Sequence, residues 1–179
     1  MLDVKGTKTE ENLKMALSGE SKARNKYDFF AEQARNEGYM QIADIFENTA
    51  DNEKAHGRMW YKILNGGIGT TEENLRNSLS NEATEADEMY LEFAKKAREE
   101  GLDEIAELFQ GVASIEAEHN EKFKKLLANI ENEEVFKKNH EEKWECMICG
   151  YTVTDTKAPK ICPVCGYDQS YFKISEDNF

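Results

Sequence analysis

Four stretches of this 179-residue chain repeat apolar side chains at intervals of three and four, the period of a helix that buries one face. The first runs Leu13, Leu17, Glu20, Ala23 or Arg24, Tyr27, Ala31, Ala34 and ends near Gly38. The second runs Ile42, Ile45, Thr49, Glu53, His56, Trp60, Ile63 and stops at Asn65-Gly66-Gly67. The third runs Leu75, Leu79, Glu82, Ala86, Met89 or Tyr90, Phe93, Ala97 without a break to Gly101, and the fourth Ile105, Phe109, Val112, Glu116, His119, Phe123, Leu126, Ile130. Thr7 with Glu10, and Thr70 with Glu73, have the form of capping boxes and start the first and third. Four helices of similar length, each with one stripe to bury, predict a mainly α protein with a four-helix bundle over residues 1–130. Residues 131–143 are charged, with Val135 and Phe136 their sizeable apolar pair, and read as a linker. Residues 144–179 change to a short cysteine-rich segment with Trp144, Tyr151, Tyr167, Tyr171 and Phe172 to pack around one metal.

The stripes carry charge where a core should be apolar, and the charge repeats. Glu53-x-x-His56 in the second helix and Glu116-x-x-His119 in the fourth each put two ligand side chains on one helix face. Each pair is preceded, at nearly the same distance, by a lone Glu in the stripe before it, Glu20 and Glu82. A Glu from each of two helices plus a Glu-x-x-His from each of the other two is the ligand set of a di-iron or di-manganese carboxylate bundle. Carboxylates buried unpaired are costly, and two divalent cations offset them. The halves differ at one point: Glu85 lies three residues after Glu82, where Ala23 follows Glu20. A single Glu three residues before a His is unremarkable in a chain this rich in Glu; the conjunction in both halves is what points to metal. His140 sits in the linker and receives no role, while Tyr27 and Tyr90 are core aromatics or hydroxyl donors to the ligands.

The formal charge of -13 argues against nucleic acid or an anionic membrane as partner. No apolar run approaches bilayer length, and Met1-Leu2-Asp3-Val4-Lys5-Gly6 lacks the apolar segment of a signal peptide, so a cytoplasmic protein is expected. In that compartment the 4 cysteines, Cys146-x-x-Cys149 and Cys162-x-x-Cys165, read as one metal site rather than two disulfides. Four thiolates hold zinc structurally or iron as a one-electron carrier, and spacing alone does not choose. A redox bundle upstream needs an electron supply, which favours iron. Gly66-Gly67-Ile68-Gly69 lacks the spacing of a dinucleotide turn and is expected to be an interhelical loop, so no directly bound nicotinamide is expected.

With Glu20, Glu53-x-x-His56, Glu82-x-x-Glu85 and Glu116-x-x-His119 followed by Cys-x-x-Cys-Gly-Tyr and Cys-Pro-x-Cys-Gly, the whole chain resembles the rubrerythrins. The resemblance implies a ferritin-like four-helix bundle followed by a small rubredoxin-like four-cysteine domain, with two irons in the bundle, one on the cysteines, and no haem. It implies a peroxidase reducing hydrogen peroxide to water, fed by rubredoxin or an NAD(P)H-dependent reductase. By it, Glu53 and Glu116 bridge the irons, Glu20 and Glu82 are terminal ligands, and His119 holds one iron throughout. The other iron exchanges His56 in the reduced state for Glu85 in the oxidised state.

Two alternatives remain on sequence grounds: a ferroxidase or iron-handling protein of the ferritin-like class, and a helical interaction protein with a structural zinc ribbon. A homodimer is expected, and loop length bears on its form. In ferritin-like bundles the second and third helices run parallel, so their link must cover roughly 32 Å of helix, and residues 65–70 stretch to only about 24 Å. The first two helices of one chain are therefore expected to pair with the last two of another, although an up-down-up-down bundle also accommodates the short loop.

Overall fold

The computed structural model describes residues 3–175 and divides into two compact units, Met1–Gly69 and Thr70–Phe179. The ends of the expected domains, residues 1–2 and 176–179, lie outside the described residues.

The first unit is a helical hairpin of α1 (Lys8–Asn36) and α2 (Met40–Asn65). Thr7 Oγ1 accepts from the Glu10 amide at 3.1 Å, satisfying an orphan donor of the first turn, and the Glu10 carboxylate reaches back to the Gly6 amide just ahead of the cap at 2.6 Å. Gly38, at φ 86°, ends α1 with the Tyr39 amide donating to Ala34 O at 2.8 Å, a reversal that only a residue without Cβ makes cheaply. The buried residues between the helices are small: Ala31 and Ala34 of α1, beside Leu13, and Ala43, Ala50 and Gly57 of α2. Small side chains let the backbones approach, and a Cβ built on Gly57 falls 3.6 Å from Leu17 Cδ1 and 3.7 Å from Glu20 Cβ. Arg24 ties the helices, donating to Ala50 O at 3.3 Å and Asp51 Oδ1 at 3.0 Å.

The second unit begins with the same design. Thr70 and Glu73 form a reciprocal capping box, and α3 spans Thr71–Thr84. The third helix is not continuous as its pattern predicts: a π turn occupies Glu85–Met89 before α4 (Tyr90–Glu99), and α5 covers Asp103–Glu131. The cause is an extra residue. Ala31, Ala43, Glu53 and His56 recur 63 positions later as Ala94, Ala106, Glu116 and His119, but Glu20 recurs as Glu82 after only 62. Glu20 and Tyr27 are thus 7 residues apart, Glu82 and Tyr90 8 apart, and one widened turn absorbs the difference.

The stripes also differ from expectation. In α2 and α5 the buried rows are Ala43, Ala50, Gly57 and Ala106, Ala113, Leu127, whereas the ligand-bearing stripes are half-buried or exposed, with Ile42, Ile45, Ile105, Leu108 and Leu126 open to solvent. A two-helix contact consumes only the small-residue row of each helix; the neighbouring apolar stripe needs another layer to cover it.

Beyond α5 the segment read as a linker is largely strand. β1 (Lys137–Cys146) pairs antiparallel with β2 (Thr152–Lys157) and with β3 (Phe172–Ile174), giving the order β2-β1-β3. Its first half is charged because a ribbon open to solvent needs no apolar face, and a register shift between Lys137 and Glu142 breaks the alternation that marks a strand. Phe136 packs on the core of this domain, formed by Trp144, Cys146, Ala158, Cys162 and Phe172.

Candidate functional site

In the first unit, helix geometry brings Glu20 of α1 and Glu53 and His56 of α2 together, with one ligand atom from each within 4.8 Å of the others. Glu82, Glu116 and His119 form the equivalent group in the second unit. His56 Nδ1 lies 2.9 Å from Glu53 Oε2 and 3.9 Å from Glu20 Oε1; His119 Nδ1 lies 2.8 Å from Glu116 Oε2 and 3.5 Å from Glu82 Oε2. The same ring nitrogen therefore faces both carboxylates in each half. A proton there makes a hydrogen bond; a metal there makes a ligand set.

Electrostatics distinguish the halves. Glu53 is held below the usual carboxylate range, first by a hydrogen bond with Glu20 and then by one with His56. Glu82 is pushed above it, first by burial, then by its hydrogen bond with Glu116 and the charges of Glu116 and Glu85, with His119 opposing. Carboxylates in direct contact cannot all ionise cheaply without a cation, and the chemistry of this donor set, oxygen-rich with two imidazoles, fits iron or manganese. Glu85, half-buried at the first position of the π turn, lies outside the Glu82, Glu116 and His119 group, and its charge adds to the upward push on Glu82. The π turn itself escaped the periodicity reading, although the 7 against 8 residue spacing carried its signal.

Tyr27 and Tyr90 occupy matching aromatic triads. Tyr27 lies 6.3 Å from Phe30 and 6.0 Å from Phe46 between ring centroids; Tyr90 lies 6.1 Å from both Phe93 and Phe109. Their shown role is packing. His140 pairs with Glu142 at 2.7 Å on the exposed ribbon, away from either carboxylate group in sequence and contact.

The four cysteines form two matching knuckles. Gly150 and Gly166, at φ 74° and 76°, turn the chain so that their amides donate to Cys146 O and Cys162 O, each at 2.9 Å. Cys146 Sγ lies 3.6 Å from Cys165 Sγ, and Cys149 Sγ 3.6 Å from Cys162 Sγ. That separation is far beyond a disulfide's roughly 2 Å and close to the edge of a tetrahedron with metal–sulfur bonds of about 2.3 Å. At Cys162 burial acts upward, but amides of Cys165 and Val164 and neighbouring sulfurs outweigh it and bring the thiol down to about 6. Cys165 goes the other way, to about 12, because burial and the adjoining sulfurs overcome the Tyr167 amide. Four sulfurs gathered this closely are arranged for a cation.

Comparison with known proteins agrees with both centres. The rubrerythrin family model matches residues 11–72 and 73–153, and the rubrerythrin rubredoxin-like domain model residues 144–173. The chain belongs to the rubrerythrin family. Its relatives include a rubrerythrin of Porphyromonas gingivalis, 44% identical over 98% of this chain and 94% of that protein. Rubrerythrin-1 of Clostridium acetobutylicum is 40% identical over 100% of both. Among solved structures, nigerythrin in a partially reduced state matches 93% of this chain and 86% of its own at 29% identity and a TM-score of 0.37.

The fold is thus the ferritin-like bundle with a rubredoxin-like domain of this family, and the cofactors are a di-iron centre and a four-cysteine iron. Membership supports an iron-dependent oxidoreductase of peroxidase type, acting broadly on peroxide with electrons from rubredoxin-type donors. Among the described residues no helix is long and apolar enough to cross a membrane.

Proposed function

We propose that this rubrerythrin is a hydrogen peroxide reductase whose di-iron centre is held by Glu20, Glu53, His56, Glu82, Glu85, Glu116 and His119. The observation that carries the reading is the presence, in one chain, of two Glu-Glu-His groups, one of them within reach of the Glu85 charge, and a four-cysteine centre. Bound iron would supply the two electrons that, with two protons, convert hydrogen peroxide to two waters.

The protein's part is to hold charge. Glu53 and Glu116, each hydrogen-bonded to both a Glu and a His, would bridge the irons; Glu20 and Glu82 would be terminal ligands, and the histidines would offer a ring nitrogen. Glu85 gives the second half an anionic group where the first has Ala23, so the centre is asymmetric and can favour the more oxidised, more positive state on one side. Tyr27 and Tyr90 complete the surroundings as hydroxyl donors to the carboxylates. Cys146, Cys149, Cys162 and Cys165 would hold the single iron, whose one-electron chemistry would link the bundle to rubredoxin or an NAD(P)H-dependent reductase. The active species is a homodimer in the cytoplasm, its helical domain reaching Glu131 and its four-cysteine domain taking in β1 from Lys137.

The test is anaerobic. Fully reduced protein is mixed with stoichiometric hydrogen peroxide, with oxygen in a parallel mix, while the visible absorbance of the cysteine-bound iron is followed. Rapid return of the oxidised colour with peroxide, lost in Glu53→Ala, is the expected result. Faster return with oxygen than with peroxide would favour the ferroxidase reading instead.

A further inference from the structure

A groove of about 330 Å³ opens between α1 and α2 on one flank of the first hairpin, and the proposed reaction makes no use of it. Half-buried Glu20 and Glu53 line it together with exposed Lys54 and Arg58, and Arg24 and Gly57 complete its walls. At about 100° per residue, Lys54 and Arg58 leave α2 on the opposite side of the Gly57 row from His56. The groove therefore approaches the two carboxylates from behind the ligand stripe.

The opening depends on Gly57. The 63-residue shift takes Gly57 to Asn120, whose side chain is partly buried and donates Nδ2 to Leu79 O at 2.9 Å. Leu79 is the counterpart of Leu17, which lines the groove of the first half. The second hairpin thus fills with an amide the space that the first leaves open. The charges diverge as well, since the counterparts of Lys54 and Arg58 are Ala117 and Glu121. Halves that match in their ligands, small-residue rows and aromatic triads part company at this flank, so helix packing alone requires neither the groove nor its charge.

Arg24 is already committed, to Asp51 Oδ1 at 3.0 Å, Asp28 Oδ2 at 3.6 Å and Ala50 O at 3.3 Å. Lys54 and Arg58 have no hydrogen-bond or ion-pair partner among the described residues, in a chain with 36 acidic residues against 23 basic ones. While Glu20 and Glu53 carry their charge, these two cations face two anions across the groove. Metal held by the carboxylates would take up that charge and leave the groove positive, with a guanidinium fork and an ammonium free.

We propose that this groove binds a small phosphoryl-bearing anion, held by Lys54 and Arg58, beside the metal-loaded Glu20 and Glu53. A phosphoryl dianion matches two cations in charge and the guanidinium fork in geometry. The volume lies in the range of small-molecule sites, and Asn25 and Tyr61 offer neutral donors along the same groove. Anion and metal favour each other, because each offsets the charge the other must approach, and linkage makes the effect reciprocal. Retention of bundle metal is thereby tied to the phosphoryl compounds around the protein. This rests on the metal-binding part of the proposed function and not on its substrate.

Titration calorimetry tests it on the full chain, loaded anaerobically with ferrous iron and freed of unbound metal, with inorganic phosphate and glycerol phosphate as separate probes. The expected result is saturable binding, weakened about tenfold in Arg58→Gln and in Lys54→Gln. Lys125→Gln, which removes a charge outside the groove, should leave it unchanged. Tighter binding of glycerol phosphate identifies the ligand as a phosphorylated metabolite, and tighter binding of inorganic phosphate identifies it as free phosphate. Protein stripped of bundle iron, with the cysteine site still coloured, should bind either probe at least about tenfold more weakly. Equal binding by wild type and both groove variants, as direct ligation of iron or an adventitious ion only would give, overturns the proposal. Absence of saturable binding, or binding that ignores removal of the iron, overturns it equally. Bundle iron is assayed on every sample. Failure to load iron removes the metal-binding reading and this one with it, whereas failure of loaded protein to bind either probe removes this one alone.

Discussion

His119 Nδ1 lies 2.8 Å from Glu116 Oε2, one helical turn apart on α5, and His56 and Glu53 repeat the relationship at 2.9 Å on α2. The nitrogen that a metal needs is the one a proton now shares with a carboxylate. Metal uptake must displace that proton and relieve the carboxylate crowding, so binding and folding are linked.

Chelation of bundle iron under anaerobic, reducing conditions should therefore lower the thermal midpoint by several degrees. Glu116→Ala should abolish most of that difference between metal-loaded and metal-free protein while leaving the colour of the cysteine site intact. Calorimetry with and without chelator is the measurement.

Gly57 faces α1 with room for a methyl group and little more. Gly57→Ala should stabilise the hairpin by up to about 1 kcal/mol, because alanine favours helix and its Cβ meets Leu17 and Glu20 at ordinary contact distance. Gly57→Leu should instead spread α1 from α2 at the level of Glu20, costing about 1–3 kcal/mol and bundle iron with it. Chemical denaturation and iron analysis distinguish the two outcomes.

The π turn holds Glu82 and Tyr90 in register with α5 at the same time. Removing one residue from it, by deleting exposed Glu88, should restore a continuous α-helix with the 7-residue spacing of the first half. With the aromatic triad and Ala94–Ala97 contacts retained, Glu82 would turn by roughly 100° away from Glu116 and His119. The expected outcome is unchanged helical circular dichroism with loss of most bundle iron.

The capping box of α3 gives a pH signature. The backbone N–H and hydroxyl of Thr70 hold the Glu73 carboxyl below its ordinary value. A carboxyl with a depressed folded pKa contributes its stabilisation fully above the unfolded value of about 4.5 and loses it as pH falls through the folded value. Thr70→Ala should thus cost about 1 kcal/mol at neutral pH. Glu73→Gln should cost less at pH 3 than at pH 7, which denaturation at the two pH values would check.

Much of this was legible before any coordinates. Thr7, Thr70, Gly38 and Gly101 place the helix ends because capping and αL reversal are local chemistry, set by the residue and its neighbours. Glu-x-x-His pairs and Cys-x-x-Cys knuckles are likewise local, and the structure brings Glu20 to Glu53 and His56, Glu82 to Glu116 and His119, and all four cysteines together. The strand through Lys137–Lys143 was hidden because its partner, β2, supplies the pairing and its faces need no apolar alternation.

What the sequence by itself determined is the inventory: four helical stripes, the ligand types on them and the four-thiolate site, each the product of spacing along a regular element. Only the tertiary structure decided which face of each helix is consumed within a hairpin. There Ala43, Ala50 and Gly57 are buried while Ile45 and His56 stay exposed, because periodicity records that a residue is apolar but not which neighbour covers it. The extra residue before Tyr90 resolved in the same way. A one-residue surplus is neutral in sequence, and it becomes a π turn only because Glu82 on one side and Tyr90 on the other are both fixed by contacts to α5.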